Sequence, residues 1–398
     1  MKRKLPVYFI FANSFLVSIA YAQVGDSVVV RDFIGDMNES AIRRGEFPGA
    51  IRIPGSNVSL AIGGFIKAVA FYDTKYNVKN EIILPGTFND NDMLKGQTYI
   101  GARSSRLFFD GRSNLDNIQI RGYFEMDFRG NSGFTLRHAY LQLTNTTKQS
   151  ILMGQYWSLV LDLQTVPEGL VEPTVSGSGF ARHGQIRFTT PISQSLKFAV
   201  AAEEPNNSDL QGVDIESVNK YPDLVTSFYY DAKMLHFSLT GMYRPMTFVY
   251  QSDQSVNSEP GLLLSAGAVI KPGSSDKITL GALIGSGASN YIMGADGIAG
   301  YITSTSRDLQ NQRGGFGTYR HRWNEKFRSN IALGYFEGDE IDNFSNPHLK
   351  SSTYGFINTY YTLNKYVNIG VEWIYSQKER YNAERLANNR FQFGIQIF

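Results

Sequence analysis

The chain has 398 residues, 42% apolar and 19% charged, with 38 Gly, 27 Phe, 23 Tyr, five His and no Cys. This composition excludes a chain disordered throughout, disulfide or thiolate chemistry, and Cys-ligated metal centres. The formal charge of +2 comes from the start of the chain. Without Lys2, Arg3 and Lys4 there are 35 bases against 36 acids, so the global balance offers nothing to nucleic acid.

Lys2–Lys4 form a basic run, Leu5–Ile19 a mostly apolar one, and Ala20-Tyr21-Ala22 a small-residue cleavage pattern. Residues 1–22 therefore read as a secretory signal peptide, cleaved before Gln23. The alternative is an uncleaved membrane anchor, and Asn13 and the A-x-A site argue against it. Residues 23–57 are broken by Phe47-Pro48-Gly49 and Ile53-Pro54-Gly55, and read as a periplasmic N-terminal segment rather than a domain. No later apolar run reaches the roughly 18–20 residues of a membrane helix. The mature chain is thus either soluble after export or a β-barrel.

From Val58 the hydrophobic period becomes two. Ile118, Ile120, Gly122, Phe124, Met126 and Phe128 share one face; Gln119, Arg121, Tyr123, Glu125, Asp127 and Arg129 share the other. The same alternation recurs around 327–335, 367–376 and 390–397. We count sixteen such runs: near 60–76, 98–112, 117–130, 133–144, 149–157, 182–191, 195–204, 222–231, 234–245, 261–272, 277–288, 313–323, 326–337, 351–363, 366–377 and 389–398. The connections sort by length. Short ones (113–116, 145–148, 193–194, 232–233, 273–276, 324–325, 364–365) alternate with long ones (77–97, 158–181, 205–221, 246–260, 289–312, 338–350, 378–388). The exception is Asn131-Ser132, which is short where a long one is due. A bacterial outer-membrane barrel has short periplasmic turns and longer external loops. A β-sandwich has no reason to sort its loops by parity. The fold expected for residues 58–398 is an all-β transmembrane antiparallel barrel of about sixteen strands.

No G-x-S-x-G, P-loop or H-E-x-x-H occurs, and no catalytic residue, metal site or cofactor is expected. Asn89-Asp90-Asn91-Asp92 lacks the spacing of a Ca²⁺ loop and reads as solvated. Arginines crowd the first half of the barrel: Arg103, Arg106, Arg112, Arg121, Arg129, Arg137, Arg182 and Arg187. A midplane Arg on a lipid face costs about 2–4 kcal/mol, so these should face the lumen or the water interface. There they either form a basic ladder that attracts anions or stiffen the wall by pairing with Asp110, Glu125 and Asp127. The parity of Arg106 and Arg137 is left open. The connection 158–181 carries Asp162, Glu168 and Glu172 among apolar Leu159, Val160, Leu161, Leu163, Leu170 and Val171. That content suits a loop folded into the lumen as a constriction better than a surface loop. The expected pore-lining set is Arg106, Arg121, Glu125, Asp127, Arg137, Asp162, Glu168, Arg182 and Arg187. Trp323 and Trp373 suit interfacial aromatic girdles.

One series of residues resembles a known family. Ser105-Arg106-Leu107, Tyr123-Phe124-Glu125-Met126-Asp127-Phe128, Leu136-Arg137-His138-Ala139-Tyr140, Leu152-Met153-Gly154-Gln155-Tyr156-Trp157-Ser158, Asp162, Pro167-Glu168, Arg182 and Gln185-Ile186-Arg187-Phe188 follow the order and spacing of the DcaP-like outer-membrane porins. Ile53-Pro54-Gly55 and Ile62-Gly63-Gly64-Phe65 resemble that family's first strand. The match covers residues 50–190, and the rest in general pattern. The resemblance implies a sixteen-stranded barrel in outer-membrane lipid, a homotrimer, and passive uptake of small anionic solutes such as dicarboxylates. The alternative function is a structural or adhesin-type barrel without transport.

Overall fold

The computed structural model describes residues 43–75, 81, 82, 85, 96–130, 133–381, 383 and 385–398. The expected signal peptide, most of the 23–57 segment and the acidic stretch at 89–92 lie outside them. We number the barrel strands β1 (Ser59–Asp73), β2 (Gln97–Gly101 continuing as Arg106–Leu115), β3 (Ile118–Gly130), β4 (Gly133–Asn145), β5 (Ser150–Trp157), β6 (Arg182–Pro191), β7 (Leu196–Glu203) and β8 (Asp223–Asp231). Then come β9 (Leu235–Tyr250), β10 (Val256–Ile270), β11 (Asp276–Ser286), β12 (Asn311–Arg322), β13 (Phe327–Gly338), β14 (Leu349–Asn364), β15 (Val367–Arg380) and β16 (Leu386–Ile397). Each pairs antiparallel with the next, and β16 pairs with β1 from Arg390↔Asp73 to Ile397↔Ile66, closing the sheet.

Alternation makes the two faces. On β9, Phe237, Leu239 and Tyr243 are exposed on the outer face, while His236, Ser238, Thr240 and Arg244 are buried on the inner one. An apolar exterior with a polar interior is the pattern of a barrel in lipid. Asp116 takes φ +50° in the two-residue turn between β2 and β3, a hairpin conformation that Asp tolerates.

Three departures from simple alternation matter. The second strand is interrupted at 102–105, where Arg103 N donates to Glu81 Oε1 (2.8 Å) and Lys67 N to Ser105 Oγ (3.0 Å). A bulge between β3 and β4 pairs Glu125 with His138 and Met126 with Leu136, leaving Arg137 as the extra residue. Arg137 and His138 are consequently both buried inside. Finally, the connection read at 246–260 is mostly strand: β9 runs to Tyr250 and β10 starts at Val256. Ile215–Val218 pairs with 247–250 and buries Phe248, which holds this hairpin beyond the barrel wall. On the same side, Leu210–Gly212 lies parallel to Gly300–Ile302, which pairs with Arg307–Leu309.

Candidate functional site

Residues 158–181 connect β5 to β6 and cross the lumen. Ser158 N donates to Ala181 O (2.9 Å) at the neck. Leu159 N then donates to Glu203 Oε1 (3.0 Å), and Leu159 and Val160 pack with Val225, Met242, Leu263 and Leu283 on the inner wall. Farther along, Leu170 reaches the far wall. Its N donates to Glu372 Oε2 (2.9 Å) on β15, and its carbonyl accepts from Lys67 Nζ (2.8 Å) on β1. The Leu170 side chain rests over Gly370 and Gly394, where added Cβ atoms would lie 2.6 and 3.3 Å from it. Val175–Gly177 lie against β12–β14: a Cβ on Gly334 would sit 2.1 Å from Ser176 O, and Ser352 Oγ donates to Ser176 Oγ (3.0 Å). Gly177, at φ +72°, lets the backbone press against Gly314 and Tyr335 O. The chain returns beside residues 291–293, with Gly177 N donating to Met293 O and Phe180 N to Tyr291 O (both 2.9 Å).

The three carboxylates of this segment go to three places. Glu172 Oε2 is 2.6 Å from Arg129 Nη1 on β3. Burial pushes the Glu172 carboxyl up, but Arg129, then Arg137 and Arg106, outweigh this and hold it below the ordinary carboxylate range. Glu168 accepts from Arg328 Nε (2.7 Å) on β13, and its other oxygen is 4.0 Å from Arg320 on β12. Asp162 Oδ2 is 2.6 Å from His236 Nε2 on β9, whose Nδ1 is 2.8 Å from Asp231. Burial again raises the Asp162 carboxyl, and hydrogen bonds from His236 and Ser238 bring it below its ordinary value.

The arginines of β2–β6 face inward. Arg106, Phe108, Asp110 and Arg112 pair across with Asp127, Glu125, Tyr123 and Arg121, so all eight share the lumen face. Asp110 accepts two hydrogen bonds each from Arg112 (3.1 and 2.7 Å) and Arg121 (3.0 and 2.9 Å). Arg137 joins Glu125 (2.7 Å) and Asp127 (3.0 Å). Arg106 stands 3.8 Å from Glu125. Arg187 donates to Gln185 Oε1 (2.8 Å) and to Trp157 O. Arg182 lies over the Trp157 ring (4.7 Å), with Nη1 buried and without a hydrogen-bond partner. Glu172 of the crossing segment thus meets this wall through Arg129, outside the expected set, rather than through Arg106, Arg121, Arg137 or Arg187.

Lys67, His236, Lys277, Arg320, Arg328 and Glu372 were not singled out in the sequence. Arg328 already stood in the polar phase of its strand. What the sequence lacked was the pairing of β11 with β12, which sets Lys277 opposite Arg320. Among the described residues no group of three or more His, Cys, Asp or Glu is placed to hold a metal ion.

A closed sixteen-stranded barrel with a polar lumen and an apolar exterior defines an outer-membrane channel of the porin class. The chain belongs to the DcaP outer membrane protein family, which matches residues 69–391. The crystal structure of the outer membrane channel DcaP of Acinetobacter baumannii resembles it at TM-score 0.76 and 18% identity, covering 86% of this chain and 98% of that one. In-vitro folded OmpT of Vibrio cholerae gives 0.57 at 11% identity over the same shares, 86% and 98%. Salmonella typhi OmpF in complex with daunomycin gives 0.57 at 12%, again over 86% and 98%. No curated protein matches the chain.

Proposed function

We propose that this outer-membrane channel passes small hydrophilic solutes by passive diffusion and prefers anions such as dicarboxylates. The observation that carries the reading is the charge of the inner wall. Arg106, Arg112, Arg121, Arg129, Arg137, Arg182 and Arg187 stand there against Asp110, Glu125, Asp127 and Glu172. The carboxylates are engaged by guanidinium groups and the surplus is positive. Charged rings of one sign are how pores select ions. Residues 158–181 form the constriction: their carboxylates are held by cations or by His236, which leaves the surplus guanidinium charge to face solutes.

The working unit is a homotrimer. One of the structures that the chain resembles, OmpT of Vibrio cholerae, is in trimer form. The outer face of β1–β5 offers an apolar groove with small residues at its centre, lined by Leu60, Phe109, Gly111, Gly122, Phe124, Leu141 and Met153, where subunits would meet.

The test is the reversal potential of the purified protein in planar bilayers under a KCl gradient. An anion-selective sign is expected. A cation-selective sign would refute the preference, and insertion without conductance steps would refute the channel.

A further inference from the structure

The geometry points to a binding site for a phosphate dianion, free or as a small phosphomonoester, between the crossing segment and the inner wall of β11–β13. A cavity of about 630 Å³ lies there. It is bounded on one side by Val166–Gly169 and Pro173, and on the other by Lys277, Arg320 and Arg328. The β12–β13 turn at 323–326 closes one edge and adds Lys326, and Arg322 at the end of β12 stands beside it. That turn is one of the short ones, so the cavity lies on the periplasmic side of the constriction.

The bases are concentrated at one spot. Lys277 pairs directly opposite Arg320, and Arg322 directly opposite Arg328. Directly opposed side chains have Cβ atoms about 4.5–5.5 Å apart, and like charges so placed repel. Among the described residues two carboxylates line the cavity, Glu168 and Glu325; Glu168 is committed to Arg328 at 2.7 Å, and its other oxygen stands at the longer distance of 4.0 Å from Arg320. The remaining donors are underused. Lys277 Nζ gives one hydrogen bond, to Gln164 O (2.8 Å), of the three that an ammonium can give. Arg320 Nε is buried without a hydrogen-bond partner.

Four cations within two cross-strand pairs call for an anion with two charges on one centre and several acceptor oxygens. A phosphate monoester dianion has that form. A dicarboxylate spreads its charge over two separate carboxylates, whereas a phosphate dianion presents all of it as one compact group in the gap between directly opposed cations such as Lys277 and Arg320. The site rests on the reading of the chain as a water-filled channel, and it adds a stopping point after the constriction.

The test uses the full-length protein, with inorganic phosphate as probe and succinate at equal ionic strength as comparator, at about pH 8 where phosphate is dianionic. Binding is read in two ways, as a rise in the melting temperature of the detergent-solubilised protein and as block of chloride current. Phosphate is expected to raise the melting temperature and to block from the side of the short turns, with succinate about tenfold weaker. Lys277→Gln with Arg320→Gln should raise the half-blocking phosphate concentration about tenfold, and Glu168→Gln should lower it. The double variant loses the Lys277–Gln164 O bond but is also relieved of a like-charge contact, so its unliganded melting temperature should change little, and its phosphate response is read against its own unliganded value. Equal action of succinate, an unchanged double variant, or no phosphate effect on melting would each overturn the site. None of these depends on the sign of the KCl reversal potential. A cation-selective sign would overturn the proposed anion preference and leave the melting result to judge the site.

Discussion

Glu172 in the segment that crosses the lumen and Arg129 on β3 are bound at 2.6 Å, both largely shielded from water. Asp127 holds the same arginine from its own strand at 2.7 Å. Removing one partner of a buried pair leaves a charge stranded, at about 3–5 kcal/mol. Arg129→Gln should therefore lower the melting temperature clearly and make the channel current noisier. Combining it with Glu172→Gln should recover part of the loss, with Asp127 left to Arg137 alone. If the double variant is no more stable than the single one, this pair does not tether the segment.

The same pair sets a pH dependence. Glu172 is held below the ordinary carboxylate value, so its ionised form stabilises the docked segment above a pH of about 4.3. That contribution disappears as the pH falls through the depressed value. Conductance should stay constant from neutral pH to about pH 5 and change only in stronger acid, and Glu172→Gln should shrink that acid step to the part carried by Asp162. A step near neutrality would assign the gating to another group.

Deleting Gln164–Ser178 removes the contacts at Leu170 and at Val175–Gly177. Single-channel conductance should rise severalfold and ion selectivity weaken. A folded channel with unchanged conductance would place the constriction elsewhere.

A gentler test leaves every charge in place. Gly334→Ala would bring a Cβ to 2.1 Å from Ser176 O, forcing the segment off β13 while the strand keeps its ladder. We expect a larger or flickering conductance from a protein that still resists detergent as a folded barrel. A variant with wild-type current would show that the wall yields instead.

The two faces can be separated on neighbouring strands. Leu333 on β13 faces outward and Thr318 on β12 lines the inner cavity. Leu333→Arg should cost about 2–4 kcal/mol in unfolding from lipid if it lies near the midplane. Thr318→Arg should cost far less and move the reversal potential further toward anions.

The strands were legible because lipid and water impose opposite demands on alternate residues, as on Ile118–Arg129. The loop side was legible because short and long connections keep to parity. What alternation cannot give is a position where it is broken. The parity of Arg106 needed its pairing with Asp127, and Arg137 needed the bulge beside His138. The stretch 246–260 reads as a long connection, yet β9 and β10 continue through most of it, with Pro245 and Pro260 facing each other in their ladder. Glu168 meets Arg328 and Leu170 N meets Glu372 across 160 and 202 residues of chain, and no local pattern records which wall a crossing segment will touch.

Asp73 and Arg390 are both fully buried and joined at 2.8 Å, although 317 residues separate them. The bond lies on the seam where the last strand meets the first. Ring closure is therefore the most non-local event in the molecule, and chains dominated by such contacts fold slowly. Until it happens, two unsatisfied strand edges remain open, able to join to a neighbouring chain instead of to each other. A shortened chain lacking β16 would be an open sheet with two adhesive borders rather than a smaller pore. Productive maturation thus depends on keeping each chain isolated until its own ends have met.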